Sequence, residues 1–374
     1  MFFDLDIKGN LLPPKTICLT YDDGPGATVG PGAGPRTREL GHYLFEQGIG
    51  ATFFVIGRHV EQHPGLIEQL QAWGHLIGNH TYSHPGLVSV ATRGGDVIGE
   101  IAKTEALIHK AVTGPVTFLR APYGNWREKV SPDSDVDKRT SIVAELLNQS
   151  GRFPHYVGPI NWDISSLDWE FWGRGDSAAQ CATNCLACIE QKGSGLLLMH
   201  DSSENASVRA QNRTEETTRL LVPMLRERGY HFIRLDAIPQ VQSAIRVSAL
   251  VSLRAPTGHF LVRAADDTFH VKPPIPNPVA QEESFGLTPF ANDLIALRTS
   301  TGQYVTVADE GGALCAGPVV AGQQETFRLE KRGAEQVALR TADGFYVTRA
   351  PNDQWRADEQ RCGDREILLL HRRA

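Results

Sequence analysis

The chain has 374 residues and a net charge of −6, with 41% hydrophobic and 21% charged residues. That length exceeds one ordinary core and suits two domains of a soluble globular protein. The acidic balance gives no general pull toward nucleic acid or an anionic membrane, and no apolar run approaches the ~20 residues of a membrane helix.

The N-terminus, MFFDLDIKGN, is acidic early and lacks the basic-then-apolar order of a secretory signal peptide. Six cysteines are too few for a disulfide scaffold at this length. Cys18, Cys315 and Cys362 are scattered and read as buried small apolar residues.

Strand-like and helix-like segments alternate from residue 15 to about 236. ICLTY (17–21) predicts a buried strand, and Thr37 is placed to N-cap a helix bearing Leu40, Tyr43 and Leu44. ATFFVIG (51–57) predicts a second strand, LIEQLQAWG (66–74) a helix ending at Gly74, and HLIGNH (75–80) a third strand. VTFLRAPYG follows, then a helix near 138–150, then NWDIS. A helix near 177–192 leads into GLLLMH, and one near 214–229 into HFIRL. The alternation argues for an α/β fold with a mainly parallel sheet or barrel, whose sites gather at the C-terminal ends of strands.

From about 247 the pattern changes. VSLRAPTGHF, IALRTSTGQY and VALRTADGFY place Arg254, Arg298 and Arg340 at related positions, each followed by a Gly (Gly258, Gly302, Gly344) and then an aromatic (Phe260, Tyr304, Tyr346). ESF (283–285) and ETF (325–327) close the first two units, and the third closes near Glu366. Each unit reads as strand, Gly turn, strand, and one unit cannot bury its apolar face alone. Three β units of about 42 residues resemble a β-trefoil of the fascin-like type. The ricin-type Gln-x-Trp signature is missing, since Trp355 is the only Trp beyond 240. The expected domains are 1–240 and 247–374, with residues 237–246 as the link.

Polar residues recur just past the predicted strands of the first half. Asp22 and Asp23 follow ICLTY; His80 and His84 follow HLIGN; Arg120 follows VTFL; Asp163, Asp168 and Trp169 lie in WDISSLDW; His200 follows GLLLM. Convergence on one mouth is the economical reading. His80 and His84 are four apart, and Pro85 ends any helical turn there, so a short turn would present both rings. Two imidazoles and a carboxylate leave open positions on a divalent cation, as a catalytic site requires. Taken alone, HxxxH is a weak pattern, equally met by two surface histidines. With Asp23 on the cation, Asp22 could stay ionised as a base, and His200 could protonate a leaving amine. The competing reading of Asp22-Asp23-Gly24 is a solvated turn.

TYDDGP, HTYSH, RAPYG, the SSLDW segment and LMH match in order the five motifs of the polysaccharide deacetylases (NodB-like, carbohydrate esterase family 4), which residues 15 to about 236 resemble. The resemblance implies a distorted (β/α) barrel, so that the whole chain would be this barrel plus an all-β β-trefoil. It implies a divalent metal, usually zinc, on Asp23, His80 and His84. Asp22 would be the general base, oriented by Arg120, and His200 the general acid. The backbone N–H of Tyr123 would stabilise the oxyanion. Leu198 and Trp169 would line the acetyl pocket, with Asp168 beside them on the substrate side. The substrate would be an N-acetylated glycan, chitin-like or peptidoglycan-like. The family works mostly outside the cytoplasm, in secreted or envelope-bound form.

Two departures stand out. Where the family's fourth motif has an Asp that tunes the catalytic His, this chain has Ser165. Asp163, two residues earlier, is on the same face if the segment is a strand and is the candidate substitute. Without one, the pKa of His200 should fall, and activity should lie below that of a Ser165→Asp variant. The first loop, GPGATVGPGAGPRT, is also lengthened, and the sequence leaves open whether it shapes substrate entry.

Cys181, Cys185 and Cys188 spell the C-x3-C-x2-C of radical iron–sulfur enzymes, yet they also fall on one helix face. Ala187 stands where those enzymes favour an aromatic, and core packing is the preferred reading. Two alternatives to an N-deacetylase stay open: an acetylxylan-type O-deacetylase, and a non-catalytic protein binding glycan or protein. The trefoil is expected to contact either glycan or protein.

Overall fold

The computed structural model describes residues 3–114, 116–131, 141–153, 155–245, 249–264, 266–272, 285–289, 294–299, 301, 303–308, 312–318 and 324–373. The chain separates into two compact units, Asp4–Gln242 and Ser243–Ala374. Among the described residues no helix is long and apolar enough to cross a membrane.

Among the described residues of the first unit nine strands form one sheet: β1 (Phe3–Ile7), β2 (Thr16–Asp22), β3 (Thr52–Val55), β4 (Leu76–Asn79), β5 (Thr117–Leu119), β6 (Tyr156–Ile160), β7 (Ile164–Ser165), β8 (Gly195–His200) and β9 (His231–Phe232). The order is β1-β6-β5-β4-β3-β2-β8-β7, with β9 also on β2. The pairings from β2 through β6, and those joining β2, β7, β8 and β9, are parallel.

Connectivity forces this sheet to curl. β6 and β7 lie six neighbour steps apart, about 29 Å if the sheet were flat. Yet β6 ends at Ile160 and β7 begins at Ile164, a span of at most about 14 Å. The two edges must therefore approach each other, which gives a curled half-barrel of parallel strands. All their C-terminal ends face one way, toward Asp22, His80, Arg120, Ser165 and His200.

Outside the sheet, apolar helix faces close the core. The helix Thr37–Glu46 contributes Leu40 and Leu44, and Thr214–Glu227 contributes Leu221, Val222 and Leu225. Ala178–Lys192 starts with a capping box in which Ser177 and Gln180 satisfy each other's backbone N–H. It buries Cys181, Cys185 and Ile189 in the same core. The hydrogen-bonded Cys181, and after it burial, lift the Cys185 thiol far above its ordinary range. These cysteines are packing residues. Cys18 is buried, whereas Cys315 and Cys362 are only half-buried.

One expectation needs correction. Thr37 is inside its helix rather than capping it; its hydroxyl accepts from Gly26 N–H at 2.9 Å and donates to Asp201. The stretch 237–246 is helical over Pro239–Ile245, with Ile238 and Val241 fully buried, and the two units divide within it, at Gln242–Ser243. The expected helix near 138–150 is described from Ile142 to Ser150, its first residues lying outside the described set.

Among the described residues the second unit has twelve strands: β10 (Ala249–Arg254), β11 (Phe260–Arg263), β12 (Phe269–Lys272), β13 (Phe285–Pro289), β14 (Leu294–Arg298), β15 (Val305–Val307), β16 (Leu314–Ala316), β17 (Phe327–Lys331), β18 (Gln336–Thr341), β19 (Tyr346–Arg349), β20 (Trp355–Glu359) and β21 (Leu368–Arg373). Six of them close on themselves in antiparallel order, β10-β13-β14-β17-β18-β21 and back to β10. The other six form the hairpins β11–β12, β15–β16 and β19–β20. A closed barrel leaves no ring edge unpaired.

The internal repeat is visible in the contacts. Arg254 pairs with Phe260, Arg298 with Tyr304 and Arg340 with Tyr346, each guanidinium over its aromatic ring at 4.3, 5.5 and 5.3 Å. Gly258 and Gly344 turn these hairpins at φ +83° and +91°, where a side chain would strain the backbone; Gly302 lies outside the described residues. Thr306 donates to Glu325 at 2.7 Å, and Thr348 to Glu366 at 2.6 Å. Glu366 thus occupies in the third unit the place that ETF gives Glu325 in the second.

Candidate active site

Asp22 ends β2 and Asp23 follows it at φ +71°. On a regular strand adjacent side chains point to opposite faces. The left-handed turn at Asp23 breaks that alternation and lets both carboxylates reach one cleft. Gly24 is required there, because a Cβ would stand 2.2 Å from the Asp201 carboxylate.

His80 and His84 follow β4, but not on a helical turn. Thr81 and His84 both have positive φ, and the segment is an irregular loop. Glu100 ties it down, accepting from Tyr82 N, Ser83 N and Ser83 Oγ. The two imidazole centroids end 5.0 Å apart.

Asp23, His80 and His84 each turn one donor atom to a common point, all within 4.8 Å of one another. His80 Nδ1 meets the Arg120 carbonyl at 2.8 Å. A carbonyl only accepts, so Nδ1 carries the proton and Nε2 is a lone pair. That lone pair faces Asp23 Oδ1 at 3.5 Å, and His84 Nε2 faces the same oxygen at 3.1 Å. Asp23 Oδ1 and His84 Nδ1 are buried without a hydrogen bond among the described residues. Burial would raise the Asp23 carboxyl, but His80 and His84 hold it well below the carboxylate range. Buried acceptors aimed at one point suit a divalent cation, and this donor set fits one.

Asp22 is held from behind. Arg120 is fully buried; its Nη1 reaches Asp22 Oδ1 at 2.7 Å and Thr20 Oγ1 at 2.9 Å. Its Nε donates to the Ile160 carbonyl at 2.9 Å and its Nη2 to the Asn161 carbonyl at 3.2 Å. The ring of Phe54 lies beneath the guanidinium at 4.2 Å. One Asp22 oxygen is therefore fixed, while Oδ2 stands 3.6 Å from His80 Nε2.

His200, beside Asp22 in the β2–β8 register, faces the cleft from the other side. Asp168, which is fully buried, accepts from His200 Nδ1 at 2.8 Å and from His200 N at 2.7 Å. Burial pushes the His200 imidazole down, but Asp168, through charge and hydrogen bond, and the more distant Asp23 and Asp22 carry it up to about 10. The expected fall in its pKa is not found.

Two expectations about this region are overturned. Asp168 is not a substrate-side residue: the left-handed turn at Leu167 (φ +54°) folds it beneath His200. Asp163 is not the substitute for the missing motif Asp. The β7–β8 register sets it opposite Leu196, four residues before His200, or about 13 Å along the strand. There its carboxylate accepts from Leu196 N and Gly9 N.

The polysaccharide deacetylase family model matches residues 10–136. The chain is 30% identical over 220 residues to a peptidoglycan-N-acetylglucosamine deacetylase of Bacillus cereus, spanning 58% of this chain and 68% of that one. The chain belongs to the polysaccharide deacetylase family. It is 28% identical over 233 residues to a chitooligosaccharide deacetylase of Rhizobium leguminosarum bv. trifolii, spanning 60% of this chain and 91% of that one. Among solved structures it matches the Bc1960 peptidoglycan N-acetylglucosamine deacetylase, at 24% identity and a TM-score of 0.47, over 63% of this chain and 92% of that one.

The deacetylase cleft has a volume of about 470 Å³. Tyr123, Trp169, Leu198 and Ser165 all line it, with Trp169 and Tyr123 strongly exposed. Tyr123 sits at φ +60° with its ring against His84, centroids 4.7 Å apart.

Residues not singled out in the sequence surround the site. Trp162 lies across the cleft, its ring packed over Gly124. His59 donates from Nδ1 to the Asp23 carbonyl at 2.7 Å, and its Nε2 meets Glu204 at 2.7 Å. Asp201, next to His200, is buried; burial lifts its carboxyl to about 7, with the Asp23 charge adding to it.

Proposed function

We propose that this chain is a metal-dependent hydrolase that removes N-linked acetyl groups from polysaccharide containing N-acetylglucosamine, chitin-like or peptidoglycan-like. The observation carrying this reading is the meeting in one cleft of an Arg120-anchored Asp22, the Asp23–His80–His84 donor set and an Asp168-anchored His200. The named activities of the relatives from Bacillus cereus and Rhizobium leguminosarum support the substrate class.

Asp23, His80 and His84 would hold the divalent cation, most commonly zinc in this family. When bound, the cation supplies Lewis-acid polarisation of oxygen and lowers the pKa of a coordinated water. Asp22 takes the proton of the attacking water, its carboxylate aimed by Arg120. The Tyr123 N–H supports the oxyanion. His200 delivers a proton from its cleft-facing Nε2 to the departing amine, while Nδ1–H stays on Asp168. The bond broken is the amide C–N; acetate and a free sugar amine leave. Leu198 and Trp169 line the space for the acetyl methyl.

For the second unit we read the ring of six strands with three hairpins as a β-trefoil, so that the domains are 1–240 and 247–374. Three Arg–aromatic pairs and two Thr–Glu bonds at equivalent positions support that reading. A role in contacting glycan or protein follows by analogy alone.

Acetate release from chitooligosaccharides, peptidoglycan and acetylxylan, each with and without a chelator, tests the assignment. Chelator-sensitive release from an N-acetylated substrate is expected. Release from acetylxylan only would make the enzyme an O-deacetylase, and none from any substrate would leave a binding protein.

A further inference from the structure

The lengthened loop 24–36 forms one side of a second cavity, of about 710 Å³, larger than the catalytic cleft. Gly26, Ala27, Ala33 and Gly34 face it, and such small side chains leave the space open. The loop is tied along its length. Gly34 N donates to the Asn212 carbonyl at 2.8 Å, and Thr37 N to the Gly26 carbonyl at 3.1 Å. Ala27 and Arg36 form an antiparallel bridge, and Arg36 Nη2 reaches back to the Gly32 carbonyl at 3.1 Å. This is a built wall.

The opposite wall carries Arg58, His63, Glu204 and Arg209. Glu204 is already engaged, paired with Arg58 and in contact with His59 Nε2. Burial lowers the pKa of His63, which leaves that ring neutral at pH 7. Arg209 is held by one bond, Nη1 to the Ser203 carbonyl at 2.9 Å, and forms no ion pair among the described residues. The cavity thus holds one positive charge beyond its own compensation.

The segment 202–208 divides this cavity from the catalytic cleft. Ser202 and Ala206 face the cavity, Ser203, Asn205 and Val208 face the cleft, and Glu204 borders both. The two spaces therefore adjoin across this short segment. Both volumes fall in the range of small-molecule sites.

Resting on the N-deacetylase reading above, we propose that the cavity is a subsite for a carboxylate-bearing substituent on the sugar next to the one deacetylated, with Arg209 as its main contact. A planar guanidinium is the side chain best matched to a carboxylate, and charge-assisted bonds of this kind are the strong ones.

The test is calorimetric titration of the full chain with two disaccharides that differ by one lactyl carboxylate: N-acetylglucosaminyl-N-acetylmuramic acid and N,N′-diacetylchitobiose. The acidic disaccharide should bind about tenfold more tightly, as one charge-assisted contact allows. In Arg209→Gln the ratio of the two affinities should fall toward one, with part retained in Arg209→Lys. Ala33→Phe, which fills the cavity from the loop side without changing charge, should also collapse it. Equal affinities in the wild type, or a preference that survives both Arg209→Gln and Ala33→Phe, would overturn the subsite. Acetate release is scored separately. Acetate without a binding preference defeats the subsite and leaves the deacetylase reading intact. A preference without acetate from either sugar does the reverse.

Discussion

Asp168 grips His200 at two donors at once, Oδ1 taking the ring Nδ1–H at 2.8 Å and Oδ2 the backbone N–H at 2.7 Å. The pair fixes the tautomer, the ring plane and the charge of the proposed general acid. Asp168, Asp23 and Asp22 raise the His200 pKa to about 10 against the opposing effect of burial. A general acid must be protonated to act, so activity should persist below that value and fall as pH rises through it. Asp168→Asn keeps the shape and removes the nearest charge. The alkaline limb of its kcat–pH profile should move down by about 1–3 pH units, with kcat lowered by about 10²–10⁴-fold. An unmoved limb would show that Asp168 is not the tuning group.

Ser165→Asp should bring no gain. Ser165 lines the cleft at the end of β7, opposite Leu198, and His200 already has its carboxylate. A carboxylate added there would enter the substrate space instead of completing a missing pair. Steady-state kinetics on a chitooligosaccharide should show kcat at or below the wild-type value. A rise in kcat, with an alkaline limb shifted upward, would restore the view that Ser165 weakens the enzyme.

Most of the proposed machinery was legible because each group stands directly after an apolar run that becomes a strand. Asp22, His80, Arg120 and His200 all share that position. The supporting residues carry no such mark. Glu100 comes from a helix 18 or so positions past the loop it braces, and His59 and Glu204 meet only through folding. Asp163 misled for a specific reason. Counting two back along a strand ignores register, and register sets Asp163 near the start of β8, away from His200. Asp168 was misplaced because the left-handed turn at Leu167 has no signature in a leucine. In the second unit the repeated Arg–Gly–aromatic spacing exposed the hairpin that opens each unit. Ring closure by β21 on β10 joins the two ends of that unit and has no local signal.

The donor set predicts a stability effect separate from catalysis. Asp23, His80 and His84 are buried acceptors gathered within 4.8 Å, and a cation binding there stabilises only the folded chain. Saturating Zn²⁺ at a hundred times its Kd should add about 2.7 kcal/mol to folding. A thermal melt should rise with added zinc in the wild type and stay flat in a His80→Ala/His84→Ala double variant. Equal rises in both would place the ion elsewhere.

Arg120 satisfies one carboxylate, one hydroxyl and two carbonyls from a fully buried position. Arg120→Met would leave Asp22 buried beside no positive partner and strand Ile160 and Asn161 as acceptors. Breaking a buried pair from one side costs about 3–5 kcal/mol, which urea unfolding should register, and acetate release should fall with it. Arg120→Lys keeps the charge but cannot span four acceptors, so it should recover part of the stability and less of the rate. A stable, fully active Arg120→Met protein would rule out the anchoring role.

Glu366 makes a comparable test in the barrel unit. Its Oε1 takes the Thr348 hydroxyl at 2.6 Å and its Oε2 the Gly363 N–H at 2.7 Å, in a buried setting. Through them it joins β19 to the turn before β21, the strand that closes the ring. Glu366→Ala leaves two donors unmet, for a cost of about 1–3 kcal/mol to the barrel. Glu366 touches none of the residues proposed for catalysis, so initial rates on a soluble chitooligosaccharide at 25 °C should match the wild type while calorimetry shows earlier melting. Thr348→Val removes one of the same two bonds and should show a smaller loss. If Glu366→Ala melts like the wild type, the Thr–Glu bond shared by two units is ornament to the ring closure, and the apolar core alone holds the barrel shut.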